Sequence, residues 1–446
     1  MSAIVIGAGI SGLAAAAELS AAGMETIVLE GRDRIGGRIH TIYDDRFAAP
    51  IELGAEFVHG TPPEILGLAK SAGLLIAKTR GNSWYRKENS DLSLAEDDPP
   101  GSNDRLWDIA DSYIRSDKPD ISFEDFLHLP QAGGVSDREK EWAKRFVSGF
   151  HAAEPQKVGI YGLVKTQNAE ASVNGMISQR ISQGYSQLCR FLEVESKSDG
   201  AKLLLNNLVT SVEGAESPVR IRAKSPDGDD FFYEASAAIV TLPVGVLKNT
   251  PDSPYYLKFI PEIEVKRSLL DRIHMGCARR VSLVFEEKWW MDELKKVDAS
   301  KSELGFLFGQ NVPVSVWWAN EPSESAVLTG WVGGPKAVEM EMLGDAQFVD
   351  LAITSLKRIF GKGESMLEAQ LIDGFTHDWR KDPFSGGAYT YTGVGGASAP
   401  CRLADPLENR LYFAGEATSD GHWGTVHGAI ESGIRAAREV LAAHRP

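Results

Sequence analysis

At 446 residues the chain is too long for one compact core and suggests about two or three domains. Hydrophobic residues at 43% and charged residues at 24% are ordinary for a globular protein and point to no function by themselves. The net charge of −15 excludes nucleic acid as a main partner, because phosphate binding needs a basic face; it weakly favours the approach of cationic substrates.

Ser2-Ala-Ile-Val-Ile-Gly7 reads as a buried parallel strand, apolar on both faces. With that strand starting at about Ala3, no charged leader is expected, and the cytoplasm is the expected location. Gly7-Ala-Gly-Ile-Ser-Gly12 follows, then an alanine-rich helix over 13–22 stopped by Gly23, then a second strand, Glu25-Thr-Ile-Val-Leu-Glu30. Residues 88–104, rich in Asp, Glu, Ser and Pro, read as a surface loop, and 104–117 and 137–151 as helices of an inserted region. Residues 203–213 and 219–223 read as strands, with Ser225-Pro-Asp-Gly228 a turn before Phe231-Phe-Tyr233. Ala237-Ala-Ile-Val-Thr-Leu242 is another buried strand. Strands at 281–285 and 326–331 and a helix over 346–360 suggest a second, α+β domain. Strand Arg410-Leu-Tyr-Phe-Ala414 and a helix from about Val426 to Ala443 return to the opening style.

The expected organisation is a discontinuous coenzyme domain (1–80, 185–248 and 385–446) and a substrate domain with a helical region (81–184 and 249–384). No apolar run approaches the roughly 20 residues a bilayer requires, so no membrane association is expected. Cys189, Cys277 and Cys401 show no CxxC spacing; they imply unpaired thiols in a reducing compartment and no metal site.

Gly7, Gly9 and Gly12 occupy a GxGxxG spacing between strand and helix. The first permits the tight turn, the second lets the backbone approach a pyrophosphate, and the third lets the helix pack close to the strand. The helix start, including Ser11, presents free N–H groups and roughly half a positive charge to phosphates. Glu30, ending the second strand, is placed to accept bonds from ribose hydroxyls. These features predict a dinucleotide site, the alternative being a glycine turn that serves packing only. Arg32-Asp-Arg-Ile-Gly-Gly-Arg38 selects FAD over NAD. Gly36, Gly37 and the arginines, Arg32 and Arg38, bring a guanidinium onto the same pyrophosphate, where its planar fork suits phosphate oxygens.

The run from Glu30 to Arg38 resembles the second fingerprint of the flavin amine oxidase family, which includes monoamine, polyamine and L-amino-acid oxidases and lysine-specific histone demethylases. The resemblance recurs along the chain. Leu53-Gly-Ala-Glu-Phe-Val-His-Gly60 is similar to the segment that passes near the flavin, with Gly54, Ala55, Glu56 and Phe57 at the cofactor. Gln183-Gly-Tyr-Ser-Gln-Leu188 and Val240-Thr-Leu-Pro-Val-Gly-Val-Leu-Lys248 are similar to "GGYSQL" and "TLPLGVLK". Arg410-Leu-Tyr-Phe-Ala-Gly-Glu-Ala417 and Gly424-Thr-Val-His-Gly-Ala429 match "FAGE…TVHGA". The resemblance implies a Rossmann-like, p-hydroxybenzoate-hydroxylase-like FAD domain of α/β class, roofed by an α+β substrate domain. It implies Gly415 and Glu416 beside the ribityl and pyrophosphate, the Thr425 and Val426 backbone near the flavin pyrimidine, and Val209 against adenine. A positive helix end at the N1–C2=O locus stabilises the anionic reduced flavin.

Three departures refine the expectation. Ser385-Gly-Gly-Ala388 has alanine where monoamine oxidases hold flavin on a cysteine, so FAD is expected to be noncovalent. Arg280 stands where many members carry a lysine that reaches flavin N5 through water. Arginine does not deprotonate and is bulkier, so fast reaction with oxygen is not expected and a dehydrogenase using another acceptor is one reading; the other is that Arg280 is a structural ion-pair residue. Of the family's two cage tyrosines only Tyr389 is kept; the second falls on Thr425, and His422 and Trp423 are candidates for the missing ring. Trp379 matches the aromatic beside the flavin. Packing alone is the alternative for Trp379 and Tyr389. Glu56 suits a second cationic amine, while Glu56 and His59 serve equally well as hydrogen-bonded groups of a turn.

The expected function is FAD-dependent oxidation of a primary or secondary amine, monoamine or polyamine, to an imine. The catalytic set is Trp379, Tyr389, His422, Trp423, Arg280, Glu56 and His59. A desaturase or protoporphyrinogen-oxidase-like flavoprotein and a noncatalytic flavin-binding regulator are the rival readings.

Overall fold

A computed structural model describes residues 1–95, 104–214, 218–361 and 364–444. Its first sheet has five parallel strands in the order Lys202–Leu204, Glu25–Leu29, Ser2–Ile6, Ala237–Val240 and Leu411–Phe413. Strands from both ends and the middle of the chain thus meet in one sheet. Ser2–Ile6 is central, and its residues Ala3 to Ile6 are at most 1% exposed, as continuous apolar runs in parallel sheets require. Helix Ile10–Ala21 and the carboxy-terminal helix Val426–Ala443 pack together on one face. The stretch 203–213 is two strands rather than one. Asn206 takes a left-handed conformation (φ 57°), sending Lys202–Leu204 into the parallel sheet and Leu208–Glu213 into a four-stranded sheet with Val219–Lys224, Asp230–Ala235 and Lys258–Ile260.

The second large sheet has seven strands: Leu371–Thr376, Ala278–Phe285, Val327–Gly333, Val316–Ala319, Leu304–Gly309, Asn82–Arg86 and Leu92–Leu94. The last corrects the loop expected at 88–104: Leu92–Leu94 pairs antiparallel with Asn82–Arg86 at the sheet edge. Residues 96–103 of that expected loop lie outside the described residues. Alternation along this sheet divides its faces. Val281, Leu283, Phe285, Leu307 and Trp317 enter an apolar core with helix Asp345–Phe360. Ala278, Arg280, Phe306, Phe308, Val316 and Trp318 face a cavity instead. The same alternation separates two adjacent arginines. Arg279 donates to the Met340 and Leu343 carbonyls, whereas Arg280 turns to the cavity.

The inserted region contains Asp104–Arg115, Phe123–Leu127, Asp137–Gly149 and Ile160–Ser172 around their own core. Ser136 starts the third of these with a capping box to Glu139. A three-stranded sheet, Phe57–His59, Ser178–Ile181 and Ile76–Lys78, sets Arg180 opposite Phe57. No helix among the described residues is long and apolar enough to cross a membrane.

Candidate active site

One cavity of about 1250 Å³ connects the glycine turn with the seven-stranded sheet. Gly7, Gly9, Ser11, Glu30, Arg32, Gly36, Gly37, Arg38 and Val209 line one end. Gly54, Ala55, Glu56, Phe57, His59, Arg280, Trp379, Tyr389, Trp423, Thr425 and Val426 line the other, and Gly415 and Glu416 are on the wall as well.

The glycines divide their work as the motif requires. A Cβ on Gly9 would meet nothing within 4 Å, so this backbone is open to a ligand. A Cβ on Gly12 would sit 1.9 Å from the Gly7 carbonyl oxygen; Gly12 is off the wall and fixes the helix against the strand. Glu30 accepts from the amides of Ala8 (2.7 Å) and Arg32 (2.9 Å), which hold its carboxylate at the strand end. Burial raises its pKa, with those two amides opposing.

The arginines split differently from the expectation. Arg32 is spent in a bidentate pair with Asp382 (2.8 and 2.6 Å). Arg38 reaches the Ala388 carbonyl and Glu416 from Nη1, both at 2.8 Å, and is on the cavity wall. Glu416 also accepts from Thr390 Oγ1 (2.5 Å) and the Gly424 amide (2.8 Å). The carboxy-terminal helix begins beside them, capped by Thr425, whose Oγ1 accepts from the Gly428 amide at 3.0 Å. Its positive end therefore meets the cavity at Thr425 and Val426. An open glycine backbone, the Arg38 guanidinium, a carboxylate at the strand end and a helix end on the wall of one cavity fit a flavin dinucleotide.

At the far end the walls are aromatic. Trp379 donates from Nε1 to the Leu53 carbonyl at 2.8 Å, and its ring edge would lie 3.2 Å from a Cβ on Gly54. Tyr389 donates its hydroxyl to the Phe150 carbonyl, and burial raises its pKa, so it stays a neutral phenol. Trp423 is buried on the wall. His422 is not on the wall: Nε2 lies 3.2 Å from the Ala169 carbonyl and Nδ1 3.6 Å from Glu431. The imidazole that reaches the cavity from this segment is His427, stacked edge-on to His422 at 4.7 Å and pushed down to about 4 by burial.

Of the two readings for Glu56, the hydrogen bonds around it favour a structural group over a receptor for a substrate cation. Arg180 Nε reaches one carboxylate oxygen at 2.8 Å, joined there by Trp318 Nε1 at 3.0 Å, and Arg280 Nη2 reaches the other at 2.7 Å. Burial by itself raises this carboxyl, but the two guanidiniums hold it below the ordinary glutamate range. Its charge is already compensated, so it has none left for a second substrate ammonium. Arg280 also donates to the Gly54 carbonyl at 2.8 Å, tying the sheet to the Gly54–Phe57 segment. His59 packs against Phe57 and Phe150, and burial pushes it down to about 4, leaving it neutral. Arg180, Trp318, His427, Gln167 and Glu170 were not anticipated. Arg180 is one charged residue in a short strand whose partner precedes it by 124 positions, a pairing no local pattern announces.

Comparison with known proteins agrees with this geometry. The family model described as flavin containing amine oxidoreductase matches residues 10–441. Polyamine oxidase 4 of Oryza sativa subsp. japonica is 30% identical, the alignment covering 98% of this chain and 88% of that protein. Lysine-specific histone demethylase 1 homolog 2 of the same plant is 29% identical over 99% of this chain but only 57% of its own length. Putrescine oxidase bound to putrescine superposes with a TM-score of 0.80 at 21% identity, covering 99% of both chains. Cyclohexylamine oxidase from Brevibacterium oxydans gives 0.79 at 21% identity, covering 99% of this chain and 98% of that one. The likeness to these two solved structures carries the Rossmann-like fold, and the family match carries the chemistry: the chain belongs to the flavin-containing amine oxidoreductases and is an FAD-dependent amine oxidase.

Proposed function

We propose that this chain holds FAD noncovalently along the cavity, with Gly9, Arg38 and Glu30 on its dinucleotide part. A primary or secondary amine, monoamine or polyamine, binds at the aromatic end between Trp379, Tyr389 and Trp423. The observation that carries this reading is the continuity of one cavity from an open glycine turn to an aromatic box. No cysteine lies on that wall among the described residues, and Ala388 occupies the position after the paired glycines, which supports a noncovalent cofactor.

When bound, the flavin supplies the hydride acceptor at N5. The protein supplies position and a dry site. The aromatic walls exclude water and favour the neutral amine, whose lone pair assists departure of the hydride. Water then hydrolyses the imine. The electrons end on oxygen, as hydrogen peroxide, or on another acceptor. Arg280, held by Glu56 and the Gly54 carbonyl, orients the Gly54–Phe57 backbone and does not shuttle protons. Three unpaired cysteines support a cytoplasmic setting.

Anaerobic mixing with a panel of monoamines, polyamines and amino acids tests the reading. Amines bleach the oxidised flavin band, and readmitted air restores it with peroxide, slowly if another acceptor is the native one. A flavin-loaded protein that no amine reduces contradicts it.

A further inference from the structure

Residues 377–389 connect strand Leu371–Thr376 of the seven-stranded sheet with strand Thr390–Thr392, and they carry both Trp379 and Tyr389. Their path is fixed from inside. The Gly387 amide donates to the Trp379 carbonyl at 2.9 Å, and the Ser385 and Gly386 amides donate to the Asp382 carbonyl at 3.0 and 2.9 Å. Trp379 and Tyr389 are therefore placed by whatever holds Asp382.

Asp382 is buried and off the cavity wall. Besides its bidentate pair with Arg32, its carboxylate accepts from the Phe384 amide at 2.9 Å and lies 2.8 Å from His377 Nε2. The Arg32 guanidinium also sits over the Phe384 ring, 5.0 Å from its centroid. Burial by itself raises the Asp382 carboxyl, but His377 and Arg32 hold it below the ordinary aspartate range. A charged bidentate contact withdrawn from water is strong and directional. It joins the segment of Trp379 and Tyr389 to Arg32, which is on the cavity wall at the glycine-turn end.

His377 passes this constraint to the indole. Its ring lies 4.2 Å from that of Trp379, centroid to centroid, inclined at 59°. His40 closes the other side, edge-on to His377 at 6.0 Å. The bond from Trp379 Nε1 to the Leu53 carbonyl fixes one point of the indole and leaves its tilt about that point open. The imidazole packed against it fixes the tilt. His377 is itself off the wall, so it acts on a ligand in the cavity only through Trp379.

We infer that His377, held by Asp382, is a positioning residue that sets the Trp379 ring against flavin and amine, and that the Arg32–Asp382 pair ties this setting to the dinucleotide end. The inference rests on the amine-oxidase reading above and adds to it a residue that no ligand touches.

The test uses the flavin-loaded full chain and whichever amine reduces the wild-type flavin fastest. His377→Phe keeps a ring beside Trp379 and loses the bond to Asp382. It lowers the limiting rate of flavin reduction about 10- to 100-fold, as a small misplacement of a positioned group does, and moves the Kd of the amine by less than about three-fold. The visible circular dichroism of the bound flavin changes before any amine is added. His377→Gln, which keeps a donor for Asp382 and a planar amide beside the indole, recovers most of the lost rate. Asp382→Asn shows the same two changes; if it does not load flavin, His377→Phe decides the matter by itself. Lys381→Gln, on an exposed side chain of the same segment, alters neither rate nor spectrum. An unchanged rate and spectrum in His377→Phe overturn the inference, as does a slower rate that only tracks lost flavin, or an equal loss in Lys381→Gln. Failure of every amine to reduce the wild-type flavin removes the amine-oxidase reading instead, and the dichroism comparison still decides the part played by His377.

Discussion

Glu56 is the counter-charge of two buried guanidiniums, Arg180 and Arg280, which are 7% and 3% exposed. Removing one charge from such a cluster leaves the others unpaired in a medium that solvates them poorly, at a cost of about 3–5 kcal/mol. Glu56→Gln is therefore expected to lower thermal stability by that amount and to loosen the cavity-lining Gly54–Phe57 segment. A substitution that changes diamine KM while leaving the unfolding midpoint in place contradicts this role. The residue scale also shows what was legible in the sequence. Gly7, Gly9 and Gly12 are recognisable because a turn, a close approach and a tight packing contact fall within six consecutive positions. Trp379 and Tyr389 are recognisable only through motif resemblance. Gln167 carries no motif; its Oε1 is buried without a hydrogen-bond partner among the described residues, which only the folded arrangement reveals.

The elements that aim charge at the cavity are two helices notched into each other. A Cβ on Gly433 of the carboxy-terminal helix would sit 2.1 Å from the Ser11 carbonyl oxygen, and Ser432 Oγ lies 3.3 Å from Ser11 Oγ. That contact sets both helix N-termini against the same cavity, where their positive ends suit an anionic ligand such as the proposed FAD. Gly433→Ala forces the helices apart and is expected to cost about 1–3 kcal/mol. It should also weaken FAD retention on dilution, read as loss of flavin absorbance after gel filtration; unchanged stability and retention would sink the argument. Both helices were visible in the sequence from their bounding glycines and apolar faces. Strand Leu92–Leu94 was not, because an edge strand in a polar stretch draws its stability from pairing with Asn82–Arg86 rather than from its own composition.

For the whole molecule, buried titratable groups set the response to acid. His40, His59, His151 and His427 are each pushed down to about 4, burial being the leading cause. Between about pH 6.5 and 4 the unfolded chain binds protons at these four sites that the folded chain refuses, so their contribution to stability is lost as pH falls. Glu52 and Glu170, pushed up to about 7 by burial, act in the opposite sense: stability from them is lost as pH rises from about 4.5 to 7. Four histidines outweigh these two glutamates together with Glu30, which burial also raises, so the unfolding midpoint is expected to rise from pH 4 to 6.5, as differential scanning calorimetry would record. A flat or falling profile over that range contradicts the burial assigned to these imidazoles.

The central claim is that one cavity holds FAD by noncovalent contacts alone. Its most direct test is to precipitate the purified yellow protein with acid and identify the flavin by chromatography. Close to one FAD per chain in the supernatant is the predicted result. Flavin retained on the precipitate, or a colourless protein that takes up no FAD when it is supplied, would contradict the account.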